Sequence, residues 1–298
     1  MDGSVTHKAR KPTWLKVKMP GGKHFVKVRE LVQNGHLHTV CESAHCPNIG
    51  ECWSRRTATF MIMGDTCTRN CKFCAVTGGK PTPLDPEEPV RVAEAVKTLE
   101  LKYAVITSVT RDDLTDGGAA HFAETIRAIR DRVPECKIEV LIPDFLGSLS
   151  ALETVLQAQP DVLNHNMETV QRLYPQARPQ ADYQRSLNLL KTAHQLGAQT
   201  KTGIMVGLGE TPEEVERLMR DVVNNHCKML TIGQYLQPSQ QHLPVVRYVP
   251  PAEFHKLKRF GLDIGFEHIE SGPLVRSSYH ADIQYESAHT ADSQNKKS

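Results

Sequence analysis

The sequence predicts an α/β fold built on a mostly parallel sheet, and three observations predict it. Six short runs of apolar and β-branched residues recur along the chain, segments with helix-start signals separate them, and the runs are apolar at nearly every residue. A strand with one solvated face alternates apolar and polar residues; near-continuous apolarity suits strands covered on both faces. Such βα repetition implies right-handed crossovers and a parallel sheet, either doubly wound or a full or partial barrel.

The first strand is ATFMIM (58–63), followed by YAVITSV (103–109), KIEVLI (137–142), DVLNHN (161–166), TKTGIMVG (200–207) and MLTIGQYL (229–236). DPEE (85–88) and TPEE (211–214) each place a capping residue, then Pro at the first helical position, then Glu at the third. The cap accepts an orphan backbone N–H, and proline lacks the N–H that would go unsatisfied there. SALE (150–153) repeats the box without the proline. Helices are also expected over 118–132, 181–197 and 251–260, with QLGA (195–198) supplying a glycine stop. The last stretch, roughly 281–298, is polar and is expected to fray.

The 298 residues suffice for one large domain or two small ones, and 39% hydrophobic and 23% charged residues with a net charge of +2 describe an ordinary globular protein. No run of about 18 apolar residues occurs, so no membrane span is expected. The N-terminus, MDGSVTHKARKPTWLKV, lacks an apolar h-region and a small-residue cleavage site. A cytoplasmic location is expected, where thiols stay reduced. Charge is uneven. Lys8, Arg10, Lys11, Lys16, Lys18, Lys23, Lys27 and Arg29 stand against Asp2 and Glu30, a net +6 over residues 1–40, which leaves −4 for the remainder. Such an arm is either a solvated face or a docking surface for an acidic macromolecule. Few aromatics and no binding motif argue against nucleic acid.

Six of the eight cysteines fall in two sets. CTRNCKFC places Cys67, Cys71 and Cys74 at C-x3-C-x2-C after the first strand; CESAHCPNIGECW places Cys41, Cys46 and Cys52 at C-x4-C-x5-C. Each set stops at three, where a closed tetrahedral site or a cubane cluster takes four ligands. The first set lies at a strand end, where parallel architectures bind ligands, and no GxGxxG occupies that turn. Disulfides are disfavoured by the compartment, and structural zinc prefers paired knuckles with four protein ligands. A [4Fe–4S] cluster on three thiolates leaves one iron open. S-adenosylmethionine, with its amino and carboxylate groups, fits that corner and can be cleaved to a carbon radical. Cys136 and Cys227 lie outside both sets and read as packed thiols.

CTRNCKFC matches the signature of the radical S-adenosylmethionine enzymes, including the aromatic Phe73 before the last cysteine. Over nearly its whole length the chain resembles the lipoyl synthases of that superfamily. The matching pieces are KPTWLKVKMPGG, LHTVCESAHCPNIGECW, TATFMIMGDTCTRNCKFCAV, TSVTRDDLTDGGA, NHNMETV, KTGIMVGLGET and GPLVRSSYHA. The resemblance implies a partial (β/α)6 TIM-type barrel over 57–272. An N-terminal extension (1–56) would carry an auxiliary cluster motif, and a C-terminal segment (273–298) the RSSY motif.

It further implies two [4Fe–4S] clusters. One, on Cys67, Cys71 and Cys74, binds S-adenosylmethionine; the other, auxiliary, sits on Cys41, Cys46, Cys52 and a serine of Arg276-Ser277-Ser278-Tyr279. Ser278 is the expected ligand and Ser277 the alternative. His45, inside the auxiliary loop, is a candidate that the pattern does not require. Asn166 and Glu168 resemble ribose-contacting positions, Phe73 flanks the cofactor, and Lys201 and Arg276 are candidate charges near it. TSVTRDD (107–113), NHNME (164–168) and the glycine-rich GIMVGLGE (203–210) could add contacts, although each also reads as an ordinary cap or turn.

The implied reaction inserts sulfur at carbons 6 and 8 of an octanoyl chain on a lysine of a lipoyl-carrier domain. That carrier belongs to a 2-oxoacid dehydrogenase E2 or is the glycine-cleavage H protein. An electron from a donor such as ferredoxin or flavodoxin reduces the first cluster, and S-adenosylmethionine yields a 5′-deoxyadenosyl radical that takes a substrate hydrogen. The substrate radical then attacks a sulfide of the auxiliary cluster, and a second cycle completes the pair. Serine oxygen is harder than thiolate and matches the iron of a sulfur cluster poorly, so a serine corner is a starting point for dismantling it. Because the radical attacks almost any C–H bond, selectivity requires one carbon held close and water excluded.

Three other readings compete. Another radical enzyme with an auxiliary cluster, such as a methylthiotransferase or a peptide-modifying dehydrogenase, is opposed by RSSY and by the ECW (51–53) that closes the set of Cys41, Cys46 and Cys52. A ferredoxin-like carrier would want four cysteines per site. A zinc-stabilised nucleic-acid module would carry a chain-wide basic excess, which is absent.

Overall fold

The computed structural model describes residues 11–17, 21–35, 37–43, 46–54 and 58–286. His45, Lys8, Arg10, Lys18 and the tail from 287 onward lie outside the described residues. In chain order the elements are α1 (Lys23–Asn34), β1 (His38–Thr39), α2 (Val40–Ser43), α3 (Ile49–Ser54), β2 (Thr59–Ile62), β3 (Thr66–Cys67), β4 (Thr77–Gly78) and α4 (Glu88–Thr98). Then come β5 (Tyr103–Ser108), α5 (Ala119–Arg132), β6 (Lys137–Leu141), α6 (Leu149–Gln157), β7 (Val162–Asn164), α7 (Tyr174–Ala177) and α8 (Tyr183–Gln195). The chain continues through β8 (Thr200–Val206), α9 (Pro212–Asn224), β9 (Met229–Gln234), α10 (Pro251–Asp263) and β10 (His268–Gly272).

Eight strands form one sheet in the order β1-β2-β5-β6-β7-β8-β9-β10. Only the β1–β2 pair is antiparallel, so the sheet is an open, partial (β/α) barrel with helices on its outer face. All six strands expected from the sequence are present. The additional parallel strand, HIESG, escaped because only Ile269 of its five residues is buried, so it carries no apolar run. β1 joins the sheet from the N-terminal extension through the register His38↔Met61.

Two helix starts differ from expectation. α4 begins at Glu88 rather than after Asp85, whose carboxylate instead accepts from the Glu87 N–H at 2.9 Å in a turn. α6 is capped by Ser148, which accepts from the Ala151 N–H at 3.3 Å, so Ser150 of SALE lies within the helix. α9 begins as read, with the full Thr211–Glu214 capping box. Residues 281–286, expected to fray, are helical and bury Ala281 and Gln284. Among the described residues no helix is long and apolar enough to cross a membrane.

Strand side chains alternate between two environments. Phe60, Ile62, Ala104, Ile106, Ile138, Val140 and Leu163 pack outward into one core, and Ile204, Val206, Leu230 and Ile232 into a second. The inward set differs: Thr59, Tyr103, Glu139, Asn164, Lys201 and Thr231 are polar, all buried. After β10 the chain turns back into this polar lumen. A Cβ on Gly233 would collide with the Val275 carbonyl, and one on Gly203 would stand 3.2 Å from Ser277 Oγ. Lower down, Ala281 and Tyr285 pack against Tyr103 and Val105, and Tyr285 against Val162 and Met229. Tyr103, Val162 and Met229 each begin a strand, so this segment closes the N-terminal mouth and leaves the other open.

Candidate functional site

The loop after β2 carries Cys67, Cys71 and Cys74, and buried charges pin it to two neighbouring strands. Arg69, between the first two cysteines, donates from Nε and Nη2 to Asp112 at 2.7 and 2.9 Å, and from Nη2 to Asp144 at 2.5 Å. Asp112 follows β5 and Asp144 follows β6. Arg185 adds a bond to Asp144 at 3.2 Å. Burial pushes the Asp144 carboxyl up, yet the Arg69 hydrogen bond and charge outweigh it and hold the group below its usual range. Backbone N–H groups of Arg69 and Thr110 point at the Cys67 sulfur at 3.4 and 3.3 Å. N–H groups aimed at sulfur are a means by which proteins tune a cluster's potential.

The far side of the loop is clasped from the opposite half of the sheet. The Lys72 N–H donates to the Ala177 carbonyl at 2.8 Å, and the Leu243 N–H to the Lys72 carbonyl at 2.9 Å. His242 donates from Nε2 to the Cys74 carbonyl at 2.8 Å, its other nitrogen held by Ser239. Phe73 is half-buried against the second core. Burial pushes the Cys71 thiol up to about 11, partly opposed by Arg178, and that of Cys74 up to about 12. Both feel Cys67 and Glu168, and Cys74 feels Cys71 as well, so the loop's sulfurs lie close together beside this carboxylate.

Asn166 and Glu168 lie just past β7. Glu168 has φ +66°, a left-handed conformation that costs a non-glycine residue energy. Two backbone bonds to β8 hold it there: Glu168 N–H to the Gly203 carbonyl at 3.0 Å and Met205 N–H to the Glu168 carbonyl at 2.8 Å. Asn166 Nδ2 donates to Glu168 at 3.1 Å and to Ser277 Oγ at 2.8 Å. Arg178 donates to the carbonyls of Asn166 and Met167 at 2.8 and 3.3 Å. Four buried polar atoms around this mouth have no protein partner: Ser108 Oγ, Arg111 Nη1, Asn166 Oδ1 and Arg178 Nε. Buried polar groups are ordinarily satisfied. This mixture of two cationic donors, a carbonyl oxygen and a hydroxyl beside Glu168 suits a ligand with carboxylate, amine and ribose groups.

His165, between Asn164 and Asn166, faces the other way. Its Nδ1 donates to the Ile142 carbonyl at 2.9 Å and its Nε2 accepts from Ser186 at 3.0 Å. Burial, then the Arg178 charge, push it down from 6.5 to about 4. The unfolded chain therefore binds a proton below pH 6.5 that the folded chain refuses, and stability falls as pH drops from 6.5 toward 4. The loss expected from this group is about 2 kcal/mol by pH 5. Urea midpoints at pH 7.5 and 5 for the native chain and His165→Asn check it; an equal shift in both proteins would refute the assignment.

Lys201, expected near the cofactor, sits second in β8, fully buried, its ammonium 3.1 Å from both oxygens of Glu139. Tyr103 and Asn164 donate to the same carboxylate, each at 2.8 Å. Its charge is thus engaged inside the lumen, well below the strand ends. The glycine-rich GIMVGLGE divides likewise: Glu210 accepts from the N–H groups of Gly207 and Leu208 at 2.6 and 2.9 Å, which makes that end a capped turn.

The second cysteine set meets the C-terminal segment. Asn48 donates to the Leu274 carbonyl at 2.7 Å. Tyr279 donates to Glu51 at 3.2 Å to each oxygen, and His280 Nε2 lies 3.0 Å from the same carboxylate. Glu51 neighbours Cys52, and Cys46 feels the charge of the half-buried Arg276. Thr59 Oγ1 donates to Ser278 Oγ at 2.8 Å, and Thr59 lies beside the Cys41 thiol. Burial pushes Cys41 up to about 11 and raises Cys46 as well. Ser278 thus faces the auxiliary set, while Ser277 turns to Asn166. None of the eight cysteines is joined in a disulfide. Among the described residues no three Cys, His, Asp or Glu groups converge on a single metal ion, whereas the corners of a cubane cluster are separate irons.

Sequence reading missed Thr59, Arg69, Asp144, Arg178 and His242, which carry no spacing signal and act through contacts with residues distant in the chain.

Residues 61–222 match the model of the radical SAM superfamily, and residues 2–46 that of the N-terminal domain of lipoyl synthase. The chain is 58% identical over 280 residues to a lipoyl synthase of Rubrobacter xylanophilus, covering 93% of this chain and 87% of that protein. It is 55% identical over 284 residues to one of Roseiflexus sp., covering 95% and 94%. Among solved structures, Streptococcus suis SuiB bound to precursor peptide SuiA matches with a TM-score of 0.57 at 12% identity, over 76% of this chain and 52% of that one, a likeness of fold. Membership of this kind implies S-adenosylmethionine and [4Fe–4S] clusters, which the two cysteine sets and the unpartnered polar mouth suit. With identity of this extent over nearly the full length of both proteins, the chain belongs to the lipoyl synthase family of radical S-adenosylmethionine enzymes.

Proposed function

We propose that this chain inserts two sulfur atoms, at carbons 6 and 8, into an octanoyl chain carried on a lysine of a lipoyl-carrier domain, with the auxiliary cluster as the sulfur source. The observation that carries the reading is the placement of the C-terminal segment, whose neighbouring serines reach the two halves of the site. Cys67, Cys71 and Cys74 would hold the first cluster. Cys41, Cys46, Cys52 and Ser278 would hold the auxiliary one.

Bound at the first cluster, S-adenosylmethionine supplies a carbon-centred radical able to take hydrogen from an unactivated carbon. The residues of the chain orient and enclose. Asn166 and Glu168 are assigned to the ribose, and Arg111 and Arg178 offer free donors to the carboxylate. The C-terminal segment fills the lumen below the site, which leaves the open mouth as the entry for an acyl chain. A ferredoxin or flavodoxin is proposed as electron donor.

The test is an anaerobic single turnover of the reconstituted protein with S-adenosylmethionine, reductant and an octanoyl-lysyl peptide. Mass spectrometry should show sulfur on the peptide and matching 5′-deoxyadenosine. 5′-Deoxyadenosine without peptide sulfur would discard octanoyl thiolation.

The carrier is expected to dock on the basic N-terminal arm, of which Lys11, Lys16, Lys27 and Arg29 are exposed. Reversing these four charges should weaken carrier binding about tenfold at low salt and flatten its salt dependence. Calorimetric titration with a carrier domain checks it, and unchanged low-salt affinity would refute it.

A further inference from the structure

We propose that Ser277 is a positioning residue that couples filling of the S-adenosylmethionine site to the way Ser278 holds the auxiliary cluster. The proposal rests on the function given above. Ser277 and Ser278 are consecutive yet reach opposite walls of the lumen. Asn166 Nδ2, past β7, donates to Ser277 Oγ at 2.8 Å; Thr59 Oγ1, first in β2, donates to Ser278 Oγ at 2.8 Å.

Both ends continue into the two cysteine sets. The Asn166 amide also donates to Glu168, which faces Cys71 and Cys74, and its Oδ1 is buried without a partner. Any ligand that engages this amide therefore acts on the group that holds Ser277. Every link from Glu168 through Asn166, Ser277 and Ser278 to Thr59 is a covalent connection or a hydrogen bond, and Thr59 lies beside Cys41.

Packing leaves little slack around the chain. A Cβ on Gly203 would stand 2.6 Å from Thr231 Oγ1, 2.8 Å from Asn166 Oδ1 and 3.2 Å from Ser277 Oγ. A displacement of Asn166 cannot be taken up sideways against the β8 backbone, so it passes to Ser277. Beyond Ser278, Tyr279 and His280 are anchored on Glu51. Ser278 is held between a fixed anchor and one that responds to ligand. This serves the chemistry, because the sulfur source should loosen only when a radical can be made.

The test uses the full chain carrying both clusters, about eight irons. EDTA extraction of auxiliary-cluster iron is followed by Mössbauer spectroscopy with and without S-adenosylhomocysteine, which fills the site and is not cleaved. In the native chain the ligand is expected to change the extraction rate at least about fivefold, the lower end of ordinary site coupling. Ser277→Ala should retain both clusters and abolish that difference, although it still binds S-adenosylhomocysteine. A merely structural role would change extraction equally with and without ligand.

Gly203→Ala, whose Cβ crowds Thr231, Asn166 and Ser277 while keeping the hydroxyl, should also abolish the difference while still binding S-adenosylhomocysteine, and it decides the matter should Ser277→Ala fail to hold both clusters. A native rate indifferent to ligand, or a full ligand effect in Ser277→Ala, overturns the proposal. Failure of the underlying function would show differently, as about four irons per chain or no 5′-deoxyadenosine from the native protein.

Discussion

Cys71→Ala is expected to abolish 5′-deoxyadenosine formation, a loss of at least about 10³-fold, while the auxiliary cluster survives. Cys71 and Cys74 both feel Glu168 and Cys67, and a cluster held by two of the three cysteines loses the geometry that leaves one iron for the cosubstrate. Burial holds the Cys71 and Cys74 thiols at about 11 and about 12, so in this pocket they keep protons at neutral pH until iron displaces them. Losing one ligand therefore leaves two thiols with no local reason to ionise. Iron should fall from about eight to about four per chain.

The complementary variant separates the sites. Cys41→Ala should keep 5′-deoxyadenosine formation and lose sulfur insertion, because Cys41 lies beside Cys46 and Thr59, the residue that holds Ser278, and not beside the first loop's cysteines. Iron analysis and nucleoside quantification on both variants check the pair. Cys71→Ala that still cleaves S-adenosylmethionine at an appreciable rate would remove that cysteine from the first cluster.

Lys201→Met is expected to destabilise the fold by about 3–5 kcal/mol. The ammonium and the Glu139 carboxylate are both fully buried, 3.1 Å apart, in a lumen where water cannot screen what remains. Burial pushes Lys201 down and Glu139 opposes it, so the pair is held by mutual attraction. Removal of the lysine leaves a carboxylate with two neutral donors, Tyr103 and Asn164, and no counter-charge. In a domain of this size the loss corresponds to a melting point lower by roughly 10 °C. The double variant Lys201→Met/Glu139→Gln should recover most of it, since neither charge is then stranded. Differential scanning calorimetry of the cluster-loaded proteins checks both; a single variant that melts within about 2 °C of the native chain would mean that the pair is dispensable.

Near-continuous apolar runs and capping boxes were legible because they are local: a strand covered on both faces must be apolar along its length, and α9 shows its start in four residues. β10 was not, because its neighbours rather than its own apolarity make it a strand. The spacing of the cysteine sets was equally local, since a loop that is to wrap a cluster must bring its thiolates close together in sequence.

By itself, then, the sequence determined the parallel α/β architecture, the six cysteines and the membership they carry. The tertiary structure decided the rest: that Ser278 meets Thr59 while Ser277 meets Asn166, that Arg69 locks the loop to Asp112 and Asp144, and that Lys201 serves Glu139. Each of these joins residues that the chain separates by 43 to 219 positions. Such pairings follow from where strands and the returning C-terminal segment come to rest in the lumen, and no local pattern records them.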